Sequence, residues 1–143
     1  MNVTAFQWGW EFTYTKQTGT TTHYVKVIGI KTESPELVLP EGVPVRIWLR
    51  SADVIHGFFV PAIDYSEYAQ PGITNTFTVT LTKTGTFRGQ CTQFCGLYHS
   101  LMKFRLKSES MSTFTTWVAA THAATAAGTI TQLKHQIASG GGA

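Results

Sequence analysis

Phe6, Trp8, Trp10, Phe12 and Tyr14 alternate with mostly polar or small residues near the start of the chain. A period of two sends side chains to opposite faces of an extended segment, so this stretch predicts a strand with one aromatic face. HYVKVIGI (23–30) predicts a second strand through its β-branched residues, and the polar TKQTGTTT (15–22) between them predicts a loop. In LVLPEGVPVRIWLR (37–50), Pro40-Glu41-Gly42 is a turn signal, after which Val43, Val45, Ile47 and Leu49 share a face. VIHGFFV (54–60) is a short apolar run around His56, and PAIDYSEYAQPGI (61–73), with two prolines and a glycine, reads as a loop. NTFTVTLTKTGTFRGQC (75–91) predicts two strands around Lys83-Thr84-Gly85. Phe77, Val79 and Leu81 point one way there, and Thr76, Thr78 and Thr80 the other. LMKFRLK (101–107) alternates again, with Met102, Phe104 and Leu106 together.

Many short strands separated by turns predict an all-β sandwich or barrel. The pattern then changes. MSTFTTWVAATHAATAAG (111–128) is Ala-rich, ends on a glycine and repeats apolar residues at helical spacing. The expected organisation is a β domain over 1–108, a helical extension over 109–128 and a flexible tail over 129–143 ending in SGGGA.

Composition narrows the function. At 143 residues the chain is one domain long, and 13% of its residues are charged, about half the usual share. The net charge is +3, with no run of Lys or Arg, which speaks against nucleic acid as a partner. No apolar stretch reaches the roughly 18 residues a membrane-spanning helix needs, and MNVTAFQWGWEF lacks the layout of a signal peptide. The chain begins almost directly in a strand-like segment, as an excised domain would.

The chemistry is concentrated in CTQFCGLYHSLM (91–102). It holds both cysteines of the chain, a histidine and a methionine at spacing C-x3-C-x3-H-x2-M. Three chemistries fit these residue types. The cysteines can form a disulfide. Zinc can take Cys91, Cys95, His99 and a distant histidine, but it leaves Met102 unused. Copper uses thiolate, imidazole and thioether together. A single blue-copper ion needs two histidines and one cysteine, so this loop has one sulfur too many. Two thiolates each bridging two coppers resolve the surplus, with one imidazole per ion. His56, in an apolar run where an unpaired imidazole is costly, is the best second imidazole. His23, His122 and His135 read as surface histidines.

DVIHGFFVP, AQPGITNTF and GTFRGQCTQFCGLYHSLM, in that order, resemble the CuA domain of subunit II of haem–copper cytochrome c oxidases, and QWGWEF resembles its aromatic opening strand. The resemblance spans about residues 3–107. It implies a cupredoxin-like Greek-key β-barrel and a dinuclear copper centre. Cys91 and Cys95 would bridge the two coppers. His56 and His99 would be terminal ligands, and Met102 and the backbone carbonyl of Gln93 weak ones. It also implies electron transfer from a cytochrome c or similar donor, entering near Trp8, to the haem of subunit I. Trp10 reads instead as a core residue. Phe58, Phe59, Phe94, Leu97 and Leu101 would form a hydrophobic cover over the metals.

The chain departs from the family pattern in three places. Gln93 replaces the glutamate that helps hold magnesium in many relatives, and an amide is a poorer ligand for a hard cation, so magnesium is not expected. Tyr68, beside Glu67, stands where an acidic residue often precedes Pro71. The two membrane helices that ordinarily precede the domain are missing, so contact with the membrane would come through such helices or through the partner subunit. The resemblance places the domain in the periplasm, on the outer face of the cytoplasmic membrane. Alone it would be an electron-transfer module rather than an enzyme, and as a subunit it would belong to a proton-translocating oxidase. The alternatives are a mononuclear copper protein or copper carrier, and a disulfide- or zinc-stapled interaction module.

Overall fold

The computed structural model describes residues 1–126, so the predicted tail, including His135, lies outside the described residues. Among the described residues, ten strands form two five-stranded sheets. The strands are β1 (Asn2–Phe6), β2 (Gly9–Thr18), β3 (Thr21–Ile30), β4 (Glu36–Pro40) and β5 (Val45–Ser51), followed by β6 (His56–Val60), β7 (Tyr65–Ala69), β8 (Asn75–Val79), β9 (Gly85–Cys91) and β10 (Lys103–Glu109). One sheet has the order β3-β2-β1-β5-β8 and the other β4-β10-β9-β6-β7. β1 runs parallel to β5 and β10 parallel to β4, while the other pairings are antiparallel. This is the expected cupredoxin-like two-sheet architecture.

Alternation builds the core as the sequence implied. Ile47, Leu49, Phe77, Val79, Leu81, Met102, Phe104 and Leu106 are buried, and Thr76, Thr78 and Thr80 face water. Trp10, Phe12, Phe58 and Phe104 meet at the centre, with the Phe58 and Phe104 rings stacked 5.0 Å apart and Trp10 edge-on to Phe104 at 5.2 Å. Each such ring pair adds about 0.5–1.5 kcal/mol beyond its burial.

Three local readings are corrected. The aromatic run 6–14 is not one strand: the chain reverses at Gln7-Trp8, pairing Phe6 with Gly9, so Trp8 sits in a hairpin turn while Trp10 lies in the core. The polar stretch 15–22 is mostly strand, because β2 and β3 pair up to Thr18↔Thr21 around Gly19-Thr20. Polar residues do not prevent pairing where both faces meet solvent. The segment 61–73 contains β7, which completes an edge by pairing with β6. Both prolines flank that strand and leave its ladder intact.

α1 (Met111–Ala126) starts where a helix was expected. Ser110 caps it, its Oγ accepting from Thr113 N–H at 3.2 Å. Phe114, Trp117 and Val118 dock it on the core, with Trp117 edge-on to Tyr14 at 5.2 Å.

Candidate metal centre

The sheet register builds the site. β6 and β9 are neighbours, with Phe58 opposite Cys91. His56 opens β6 and Cys91 closes β9, so pairing these strands sets an imidazole beside a thiol. Gly57 makes the approach possible: a Cβ there would fall 2.4 Å from Thr92 Oγ1 and 2.9 Å from Gln93 N. Gly57 N–H donates to Cys91 Sγ at 3.5 Å. The loop between β9 and β10 is closed at its base by Cys91 N–H to the Met102 carbonyl, 3.0 Å, and a 3₁₀ turn at His99–Leu101 folds it back.

All six predicted positions converge. The two sulfurs lie 3.9 Å apart. On one side, His56 Nδ1 is 3.9 Å and the Gln93 carbonyl 3.2 Å from Cys91 Sγ. On the other, His99 Nδ1 is 3.4 Å and Met102 Sδ 3.8 Å from Cys95 Sγ. The ligating atoms of His56, Cys91 and Cys95 all lie within 4.8 Å of one another, and His99 joins them through Cys95. His56, Met102 and both cysteines are buried.

The pocket's electrostatics follow from this packing. Burial opposes the Cys91 thiolate, but hydrogen bonds from His56 and Gly57 N–H outweigh it and lower the thiol pKa. Burial and then the neighbouring Cys91 charge push Cys95 up. Burial disfavours protonated His56, yet Cys91 and Asp53 together raise its pKa. A soft cation binds the thiolate form, and the lowered Cys91 pKa eases loss of the thiol proton on binding.

Two residues escaped the sequence reading. Asp53 Oδ1 holds His56 Nε2 at 2.8 Å, leaving Nδ1 turned toward the sulfurs. The same carboxylate accepts from Gln7 N–H at 2.6 Å and Val54 N–H at 2.7 Å. Burial raises the Asp53 pKa, but these hydrogen bonds more than offset it and lower it overall. Gln7 Nε2 and Trp8 Nε1 both donate to the Cys95 carbonyl, at 2.9 and 3.1 Å. The Gln7-Trp8 turn thus clamps the ligand loop. Gly96, at φ 116°, lets that loop pass under the indole, where a Cβ would come within 3.1 Å of Trp8. The D-x2-H spacing of Asp53 and His56 is visible in the chain, but the Gln7 contact exists only once the hairpin docks.

The expected hydrophobic cover does not close. Phe58 belongs to the core, and Phe59 is half-buried. Phe94 and Leu97 are each 76% exposed, and Leu101 and Ile55 also face water. Side chains on a loop this tightly turned point outward once the ligands point in, so they form an apolar rim. Trp8 stands edge-on to Tyr98 at 5.0 Å, and Lys31 Nζ lies 4.1 Å over the Tyr98 ring.

The model of the cytochrome c oxidase subunit II periplasmic domain matches residues 1–109. The chain belongs to this family. A probable cytochrome c oxidase subunit 2 of Nocardia farcinica is 38% identical over 104 residues, covering 67% of this chain and 28% of the relative. One from Rickettsia prowazekii is 30% identical over 128 residues, covering 83% of this chain and 41% of the relative. The chain therefore spans between a quarter and a half of the length of such relatives. The crystal structure of the periplasmic domain of subunit II of cytochrome oxidase from Bradyrhizobium japonicum superposes with a TM-score of 0.71 at 28% identity, covering 84% of this chain and 90% of that one. A mixed disulfide between a thioredoxin-like protein and a subunit II periplasmic domain is similar too, with a TM-score of 0.62 at 26% identity, covering 85% and 89%. The subunit II domain is periplasmic by family, and none of its described helices is long and apolar enough to cross a membrane. Its buried cluster of soft donors fits copper.

Proposed function

We propose that the domain carries a dinuclear copper centre, takes electrons from a cytochrome c or another small redox protein, and passes them to the haem of oxidase subunit I. One observation carries this reading: the two sulfurs, 3.9 Å apart, are flanked on each side by one imidazole and one weak donor. Two coppers bridged by both sulfurs would each have one imidazole and one weak donor available from this set. A mononuclear blue-copper ion uses one cysteine and leaves the second sulfur idle. When bound, such a copper pair shares one electron over both ions, so little rearrangement accompanies its transfer.

The protein's part is to hold the donors still. Asp53 orients His56, the Gln7-Trp8 turn fixes Cys95, and the β6–β9 pairing sets Cys91. A scaffold that resists movement keeps the reorganisation on electron arrival small. The Trp8 indole touches the Cys95 backbone directly, which offers a short route inward from the surface. The apolar rim around His99 is the natural side for exit toward a partner subunit.

In the copper-free state the two thiols are near enough to lose two protons and two electrons to an oxidant and close as a disulfide. A thioredoxin-like reductant, of the kind trapped with the related domain, would reopen it.

Metal analysis and electron paramagnetic resonance test the main reading. Two coppers per chain are expected, with hyperfine splitting from both nuclei. Splitting from a single copper nucleus, at one ion per chain, would establish the mononuclear alternative.

A further inference from the structure

His23 on β3 and His122 on α1 are about a hundred residues apart in sequence, yet their rings meet at 5.2 Å between centres and 72° between planes. Both were expected to be independent surface histidines. Both instead line a cavity of about 650 Å³ between the helix and the sheet, at the end of the sandwich away from the sulfur loop. The separation suits a shared ion. Bonds of about 2.0–2.1 Å from zinc to imidazole put each ring centre roughly 3.2 Å from the ion, and a tetrahedral angle then spaces the two centres by about 5 Å. Both rings are half-buried, so each retains access to an incoming ion.

We propose that His23 and His122 form a second metal site for a late first-row divalent cation, zinc or copper(II), that ties α1 to the sheet. Two imidazoles from separate elements provide half of a tetrahedral set, and water in the open cavity completes it. No carboxylate lines the cavity among the described residues, and the Met1 amino group, which also lines it, is engaged with the Arg46 carbonyl at 2.8 Å, so the two imidazoles are the donors left to a metal. Lys16, which also lines it, is exposed and carries its ammonium out to solvent. The benefit to the fold is local. α1 has no acidic residue in its first turn and no basic one in its last, and Phe114, Trp117 and Val118 are its hydrophobic contacts with the core. A metal bridge one turn past those residues would give the helix a second attachment to the sheet.

The test is a zinc titration of the copper-loaded protein, followed by calorimetry and by amide NMR. Since the sulfur loop is the same in every variant, the comparison isolates the histidine pair whatever that loop holds. One zinc per chain is expected at micromolar affinity, with shifts concentrated around residues 23 and 122. His23→Gln and His122→Gln should each weaken binding at least tenfold without changing the metal-free circular dichroism. Copper(II) added beyond the loaded loop should give a mononuclear signal with nitrogen splitting, absent in both variants. Binding within twofold of wild type in either variant would overturn the proposal. So would zinc-induced shifts that avoid both residues, a reading that needs no variant to fold.

Discussion

The two ends of the sandwich are built by different means. At the loop end, directional polar contacts hold His56 and the Cys95 backbone. Asp53 gathers His56 and two backbone N–H groups, and the Cys95 carbonyl takes two side-chain donors. At the helix end, three apolar side chains rest on Tyr14 and its neighbours beside a large cavity. The first arrangement is directional and constrains the angle as well as the distance of each contact. The second is non-directional, adds stability and tolerates looseness. The chemistry lies at the end where geometry is over-determined.

Substitutions at the two ends should therefore fail differently. The largest effect is expected for Cys91→Ser, which removes a sulfur of the proposed centre and should abolish it, read as complete loss of its visible absorption with the fold retained. Asp53→Asn keeps the shape but weakens the hold on His56. Copper affinity should drop about ten- to a hundredfold, as for other groups that orient metal-bound histidines, measured by competition with a chelator. Unchanged affinity would mean that strand pairing alone orients His56.

At the helix end, Trp117→Ala should cost roughly 1–3 kcal/mol of stability in chemical denaturation, less than a fully buried tryptophan because Trp117 is half-exposed. The copper spectrum should not change. A spectral shift would show that the two ends are coupled.

Trp8→Ala tests the surface of the loop end. Reduction by a protein donor should slow severalfold in stopped flow, with a small spectral shift because the hydrogen bond to the Cys95 carbonyl is lost. Raising salt to physiological levels should change the wild-type rate only modestly. The net charge is +3 and Lys31 sits close to Trp8 through Tyr98, so there is little attraction for a basic donor to be screened. A steep fall with salt would point to an acidic docking patch. The smallest effect is expected for Gln93→Ala, which keeps the carbonyl near Cys91 and should retain both coppers by metal analysis.

Much of this was legible in the chain. Alternation identified the buried faces around Ile47, Phe77 and Phe104, because a strand's two faces differ in solvent and the sequence records that difference. The spacing of Cys91, Cys95, His99 and Met102 marked a candidate metal loop that the family resemblance assigned to copper, because ligands within one tight loop must be neighbours in sequence. His56 was reached from its apolar setting and from the missing imidazole. What failed was local and had a common cause. A period of two cannot show a reversal, so the turn at Gln7-Trp8 was hidden inside an unbroken aromatic alternation. β7 was masked by its flanking prolines, and the β2–β3 extension by its polar faces.

Sequence alone determined the kind of donors, the class of fold and the faces that pack. These depend on residue type and short-range periodicity, which are properties of the chain. Only the tertiary structure decided that Asp53 orients His56, that Gln7 and Trp8 clamp Cys95, that Phe94 and Leu97 face water, and that His23 meets His122. Each of these joins segments with no fixed relation along the chain, and their distance is set by strand register and by the docking of a turn or a helix, neither of which is written in any single stretch of residues.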